Sequence, residues 1–468
     1  MAERHDSMHE NLNRDLKERH IQLIAIGGAI GVGLFLGSAS AIKAAGPSII
    51  LAYALGGVFV YFIMRALGEM TVENPVSGSF SAYAHEYIGP LAGYLTGWSY
   101  WLFWGLVCMI DPTAIGVYIN YWWPEIPQWV SALVTVVLLT GVNLTAVKAF
   151  GEFEFWFALI KVITIVAMII FGLAMIIFGL GNGGVPVGIS NLWTHGGFFP
   201  HGMEGTIIAL VMVAFAFFGM ELIGVTAGEA ANPEKTIPSA INKVFWRVLI
   251  FYVGALFVIL SIYPWEQMGT IGSPFVIIFA KLGIPAAAGI INFVVITASA
   301  SACNSGIYVA GRMLYNLSLQ GKAPKCLSEL SKSGVPRKGI LASVVMMLIS
   351  VVLNYLIPAE VFNYLVNIIT FVGVFAWFMI MWAQLNFRKR LTPEQVAKLK
   401  FPMRGFPYCN WLTMAFLVFV IGAMALDPND RISLIVGPIW LIIATVAYYA
   451  AGYNKIDDPK RTGTVENK

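Results

Sequence analysis

Long apolar runs separated by short clusters of charge dominate the chain. A helix needs about 20 apolar residues to cross a bilayer. Runs of that kind fall near 23–42, 47–67, 91–119, 129–147, 153–180 and 206–229, and again near 246–265, 286–312, 339–357, 361–384, 409–427 and 432–452. The pattern predicts an all-α membrane protein of twelve transmembrane helices with both termini on one side. Residues 1–22 form a polar N-terminal segment, 23–452 the helical domain and 453–468 a polar tail. The stretch 70–90 is mildly amphipathic and reads as a linker with some helix.

Composition agrees with this pattern. The chain has 468 residues, 58% hydrophobic and 12% charged, against roughly 25% charged in a soluble protein. Its surface must be apolar, so membrane lipid is its solvent. The four cysteines, Cys108, Cys303, Cys326 and Cys409, show no C-x-x-C spacing and no histidine cluster. Neither a metal site nor a disulfide framework is expected. Nothing calls for a cofactor, and no nucleic-acid motif is present. No cleavable signal peptide is expected, because the charged first twenty residues lead into a run long enough to stay in the membrane.

Positive charge chooses the orientation. Arg14, Lys17 and Arg19 precede the first span, and Lys235, Lys243 and Arg247 follow the sixth. Arg312, Lys322, Lys325, Lys332, Arg337 and Lys338 crowd the connection after the eighth, and Arg388, Lys389, Arg390, Lys398, Lys400 and Arg404 the one after the tenth. The other face has Lys43, Lys281 and Arg431. The termini are expected in the cytoplasm, and the protein in a bacterial inner membrane.

Two spans break the helical rules. The first contains Gly27, Gly28, Gly31 and Gly33 within seven residues. The sixth contains Phe215-Ala-Phe-Phe-Gly-Met-Glu221, with a carboxylate at membrane depth. Interrupted helices at matching places in two halves point to a transporter binding site. The freed backbone groups cannot be satisfied by lipid, so they must line a protected cavity. Half-helix N-termini suit a carboxylate and free carbonyls suit an ammonium group, so a zwitterionic amino acid matches both. Close helix packing is the other use of such glycines.

Three ionisable residues lie inside spans, where charge is expensive and functional by default. Lys161 is roughly 12 Å into span five. Its stem is long enough to snorkel, yet no acid lies three or four residues away on that helix. A proton gained and lost there offers a coupling device. Asp111, before Pro112 in span three, is either a cap for the helix that follows or a pocket residue. Glu221 is placed to bind N–H groups of the broken span six and is expected among the substrate-site residues. Phe215 and Phe218 are expected to shape the pocket, while Phe217 points elsewhere, toward lipid in one reading. Glu69, Glu152 and Glu154 lie near span ends and read as interface charges.

At these residues the chain becomes recognisable. It carries Arg19-His20 followed by the glycine run to Phe35, Gly151-Glu-Phe-Glu-Phe-Trp-Phe157, Thr226-Ala-Gly-Glu229 with Asn232-Pro-Glu-Lys235, and Asn304-Ser-Gly with Gly311-Arg-Met-Leu. These motifs resemble the amino acid–polyamine–organocation superfamily in its bacterial amino acid transporter branch, over nearly the whole chain. The resemblance implies inverted five-helix repeats (about 23–180 and 206–384) plus two extra helices (409–452), with helices one and six broken. It implies that Val32 and Gly33 offer N–H groups to a substrate carboxylate, and that the carbonyls of Ala29, Phe215 and Phe218 receive its ammonium. Lys161 matches a lysine that, in relatives, occupies the place of a sodium ion between spans one, five and eight, which implies proton-coupled uptake. Gly181-Asn-Gly-Gly, Ser261-Ile-Tyr-Pro-Trp265 and Leu391–Phe401 look most like the proline-specific permeases, with histidine, threonine and aromatic permeases as neighbours. Asp111-Pro112 departs from the family's acid followed by an aliphatic residue.

A proton-coupled importer of an amino acid, proline or a similar neutral one, is therefore expected. A channel would need a filter loop or ring motif. An enzyme would need a nucleophile, base or metal set, and an ATP-driven pump a P-loop. None of these is visible in the sequence.

Overall fold

The structure, a computed structural model, describes residues 30–456 apart from 32, 77, 146, 228–231, 269–285, 358–360 and 429. Among the described residues every regular element is helical. Among these residues ten helices are long and apolar enough to cross a membrane, and Tyr408–Ala423 is a shorter apolar one.

A π-helical stretch, Gly33–Gly37, leads into α1 (Ser38–Ala45) and then, through a tight turn, α2 (Ile49–Glu73). The linker forms α3 (Ser79–Tyr87), followed by α4 (Pro90–Ile119), α5 (Gln128–Thr145) and α6 (Val147–Phe178). The sixth span is split into α7 (Gly202–Phe217) and α8 (Leu222–Thr226). The seventh runs as α9 (Pro233–Arg247), a π-helical stretch Val248–Gly254, and α10 (Ala255–Ile262). Then come α11 (Ala287–Leu319), α12 (Arg337–Leu356), α13 (Val361–Arg390), α14 (Tyr408–Ala423) and α15 (Ser433–Ala450).

Most helices sit where the apolar runs place them. The seventh differs: it starts at Pro233, not near 246. Its first half is amphipathic, burying Ile237, Ala240, Ile241 and Val244 while Glu234 and Lys243 face outward. Charge on one face hid the helix from a search for uniformly apolar runs.

Burial sorts the helices into two classes. α4, α7, α11 and α13 are buried along most of their length, and α4 packs against both α11 and α13. α5, α6, α12 and α15 instead leave a stripe of large apolar side chains uncovered, such as Val134, Val137 and Leu138, or Ile435, Ile439, Ile442 and Val446. Such stripes belong against lipid tails, not water.

Charges near the span ends do structural work. Glu69 reads as an interface charge in the sequence, but its side chain is fully buried. Arg388 Nε donates to Glu69 Oε1 at 2.5 Å and Nη2 to Oε2 at 3.1 Å. Gln384 Nε2 donates to Oε1 at 3.0 Å, and the Met403 N–H also donates to this carboxylate. One acid on α2 thereby ties α13 to the segment before α14. Lys322, from the basic connection after α11, is equally buried, with Nζ 2.8 Å from His85 Nδ1 and donating to the Pro90 carbonyl at 3.2 Å.

Removing one partner of a buried ion pair leaves the other uncompensated. Glu69→Ala is expected to destabilise the protein by about 3–5 kcal/mol, and Glu69→Gln by less, since it keeps an acceptor. Thermal unfolding of the detergent-purified variants measures this. Unchanged unfolding temperatures would show that the pair does not tie these helices.

Candidate functional site

The sixth span stops being helical at a definite place. Phe218 adopts an extended conformation (φ −61°, ψ 146°), and Gly219 has φ 99°, a region that favours glycine. The chain turns through Glu221 before α8 begins. A continuous helix would give the Ala216 carbonyl an N–H from residue 220. Here the Tyr252 hydroxyl donates to it instead, at 3.0 Å. The Gly219 N–H donates to both oxygens of Glu221 at 3.2 Å. Glu221 also accepts from the Tyr100 hydroxyl at 2.9 Å and Trp377 Nε1 at 3.2 Å. Its carboxylate is thus enclosed by protein donors and does not line the cavity described below.

The first span is irregular too. Ile30 and Gly31 lie in a bend. The Leu34 N–H donates to the Gly31 carbonyl at 3.2 Å, so the Ile30 carbonyl lacks its regular helical donor. Lys161 Nζ donates to that carbonyl at 3.0 Å. The Lys161 side chain is fully buried and does not snorkel. Ala29 and Val32 lie outside the described residues.

Between these two interruptions is a cavity of about 40 Å³. Span one contributes Gly31 and Gly33, α4 contributes Phe103, Trp104 and Asp111, and the broken span contributes Phe215, Ala216 and Phe218. Ala302 of α11 closes it. That volume suits roughly three water molecules, so the aromatic walls must part to admit anything larger. Phe218 packs edge-on against Phe103 at 5.2 Å between ring centres, and against Trp377 at 4.5 Å. The Phe215 carbonyl accepts from the Phe218 N–H at 3.2 Å. Phe217 does not face lipid. It is fully buried, with ring centres 5.5 Å from Tyr53 and 4.8 Å from Tyr252.

Asp111 is not a cap. α4 runs unbroken through Pro112, and Asp111 sits in its interior. It is buried, and its Oδ2 has no hydrogen-bond partner among the described residues. Lys161 is the cation whose charge acts on it, and Lys161 in turn feels both Asp111 and Glu154. Glu154 is therefore no interface charge. It is fully buried and accepts from the Ser301 hydroxyl at 2.5 Å. Sequence reasoning missed it, although seven residues' separation puts Glu154 and Lys161 on one helix face. Among the described residues no group of three or more His, Cys, Asp or Glu side chains could hold a metal ion.

A family profile described as amino acid permease matches residues 20–460. The chain belongs to the amino acid permease family. It is 56% identical over 446 residues to an uncharacterised amino acid permease, YtnA, of Bacillus subtilis, covering 95% of this chain and 96% of that one. It is 50% identical to the probable threonine/serine transporter YbxG of the same species, with the same coverage. It is 49% identical over 439 residues to the aromatic amino acid transport protein AroP of Escherichia coli K12, covering 94% and 95%. These relatives are transporters, not enzymes. With its many apolar helices, the permease is a multi-pass membrane protein that carries an amino acid.

The two interruptions touch through Gly33. A Cβ there would lie 2.7 Å from the Ala216 Cα, a backbone atom that cannot swing aside. At Gly31 a Cβ would meet only Ala302 Cβ, at 3.9 Å. Overpacking so close a meeting of backbones costs about 1–3 kcal/mol. Gly33→Ala is therefore expected to lower substrate affinity about tenfold or more, as the two spans are pushed apart. Gly31→Ala should cost much less. Direct binding measurements on both purified variants decide the matter, and equal affinities would mean the two spans are not held by this close approach.

Proposed function

We propose that the permease is a proton-coupled importer of a neutral amino acid, working by alternating access in a bacterial inner membrane. It has twelve spans in inverted five-helix repeats plus two extra helices, with cytoplasmic termini. The observation that carries this reading is the pair of interrupted helices facing each other across a cavity beside a buried acid. In it the substrate carboxylate meets the N–H groups of Val32 and Gly33, and its ammonium meets the carbonyls of Ala29, Phe215 and Phe218. The Phe215 carbonyl, which accepts from the Phe218 N–H, has a second lone pair for the ammonium. Glu221 acts at one remove, holding the broken span in shape. Phe103, Phe215 and Phe218 close over the side chain and give it apolar contact.

Proline is the first candidate substrate, because the aromatic walls suit a compact apolar ring. One observation favours threonine or serine instead. The unpartnered Asp111 Oδ2 borders the cavity and is an acceptor for a substrate hydroxyl. The 50% identity to a probable threonine/serine transporter points the same way. Competition uptake with all the standard amino acids separates the two. Asp111→Asn should shift the ranking of competitors or the pH dependence of uptake. An unaltered ranking and an unaltered pH profile would remove Asp111 from the pocket.

Lys161 is the proposed coupling residue. A charged ammonium holds the Ile30 carbonyl more strongly than a neutral amine, so protonation favours the conformation in which span one lies against α6. A proton bound in one conformation and released in the other drives the exchange, since a ligand shifts an equilibrium only through differential affinity. Lys161→Ala is expected to abolish accumulation driven by a pH gradient in liposomes, while substrate exchange survives. If the variant still concentrates substrate as wild type does, and an uncoupler collapses both equally, the proton travels elsewhere.

A further inference from the structure

A second pocket, sharing no lining residue with the substrate cavity, lies where α2 and α9 meet the segment before α14. It measures about 400 Å³ and is lined by Tyr61, Phe62, Arg65, Asn242, Phe401 and three further residues, among them Lys400 and Arg404. Three of its lining residues are cations and none is an acid.

Arg65 is built into its wall. The guanidinium lies 3.7 Å from the centre of the Phe401 ring. Nη1 donates to Asn242 Oδ1 at 3.3 Å and Nη2 to the Pro402 carbonyl. Both acceptors are neutral, so this nine-tenths buried cation forms no ion pair among the described residues. Arg404, at the rim, is exposed. Lys400 Nζ donates to Glu234 Oε1 at 2.7 Å, both side chains half exposed. The nearby acids are otherwise engaged. Glu69 is held by Arg388, and Glu73 accepts the Lys400 N–H at 3.0 Å. Two of the three cations therefore lack a carboxylate partner among the described residues.

The neighbouring surface is apolar. Leu51, Leu55 and Val58 are exposed along α2 on the face that carries Phe62, as their spacing by three and four residues requires. Phe245 and Leu249 are exposed on the seventh span, with the Phe245 ring 6.4 Å from that of Tyr61. A cationic cup therefore opens beside a strip that faces lipid tails. A free anion would need only the cup; an anionic phospholipid uses both, its phosphate among the cations and its chains along the strip. Basic pockets between membrane helices recognise anionic headgroups in this way.

We infer that this pocket binds the headgroup of an anionic phospholipid, with Arg65 and Arg404 on the phosphate and Lys400 at the rim. The site depends neither on the transported amino acid nor on the proton pathway.

The test is native mass spectrometry of the detergent-purified permease equilibrated with equal amounts of phosphatidylglycerol and phosphatidylcholine. Wild type is expected to retain phosphatidylglycerol in preference. Arg404→Gln should reduce that preference about fivefold, the effect of one cation beside an anionic headgroup. Arg65→Gln with Arg404→Gln should abolish it. Since Arg65 also braces the fold, thermal unfolding of the double variant checks integrity, while the exposed Arg404 is tested by itself. Equal retention of the two lipids by wild type would overturn the inference, as would an unchanged preference in Arg404→Gln. Displacement of phosphatidylglycerol by inorganic phosphate at matched concentration would also overturn it, making the pocket a small-anion site.

Discussion

In hydrocarbon, a backbone N–H or C=O without a partner costs several kcal/mol, and the arrangement of this permease follows from meeting that requirement. Breaking a helix at membrane depth exposes such groups, and side chains take them. Tyr252 takes the Ala216 carbonyl, Glu221 the Gly219 N–H, and Lys161 the Ile30 carbonyl. Satisfying a break therefore also ties helices together. Span six is held to the seventh span through Tyr252, and to α4 and α13 through the donors that Tyr100 and Trp377 offer Glu221. Span one is held to α6. The irregular backbone and the polar side chains form one system, and neither would persist without the other.

This division explains what was legible in the sequence. Apolar runs depend on composition alone, so α5 at Gln128–Thr145 and α12 at Arg337–Leu356 fall within two residues of the runs at 129–147 and 339–357. The start of the seventh span was not legible, because an amphipathic helix hides among its own charges. At the site, glycines and an acid at membrane depth announced the interruptions, and the long apolar run around Lys161 announced its burial. Which partner each group takes depends on other helices. Glu69 and Glu154 looked like end-of-span charges because each stands near the end of an apolar run. Their burial is set by Arg388 on α13 and Ser301 on α11, which no local pattern connects to them. Phe217 is the opposite case. Helical phase predicts its direction only while the helix lasts, and the break sits one residue beyond it.

The substrate's identity is less legible for a related reason. In this conformation the cavity is shaped by aromatic rings packed on one another, Phe103 against Phe218 and Phe218 against Trp377. In the proposed function, specificity depends on how those rings separate and on what Asp111 meets when they do. The proposed backbone recognition of the carboxylate and ammonium groups would serve every amino acid alike, so it speaks for the family and not for the member. Relatives at about 50% identity carry names that point to different side chains, consistent with a shared backbone site and variable walls.

The charges behind the cavity give a reason for the proposed link between proton and substrate. Two buried carboxylates, Asp111 of α4 and Glu154 of its own helix, act electrostatically on Lys161. One cation balances one acid. The Ser301 hydroxyl adds a hydrogen bond to Glu154 but no charge, and Asp111 Oδ2 receives no hydrogen bond from the described residues. An unbalanced charge in a medium of low polarity is costly, so the second carboxylate needs either a proton or a cation from outside. In the proposed function the substrate ammonium meets the carbonyls of Ala29, Phe215 and Phe218, and the proton that Lys161 gains or loses sets how much of this deficit remains. Proton and amino acid are then bound within one electrostatic neighbourhood, and the occupancy of one changes the demand for the other. Coupling of this kind needs no moving wire between distant sites. It needs one cation, two acids and a cavity whose opening exposes one of them.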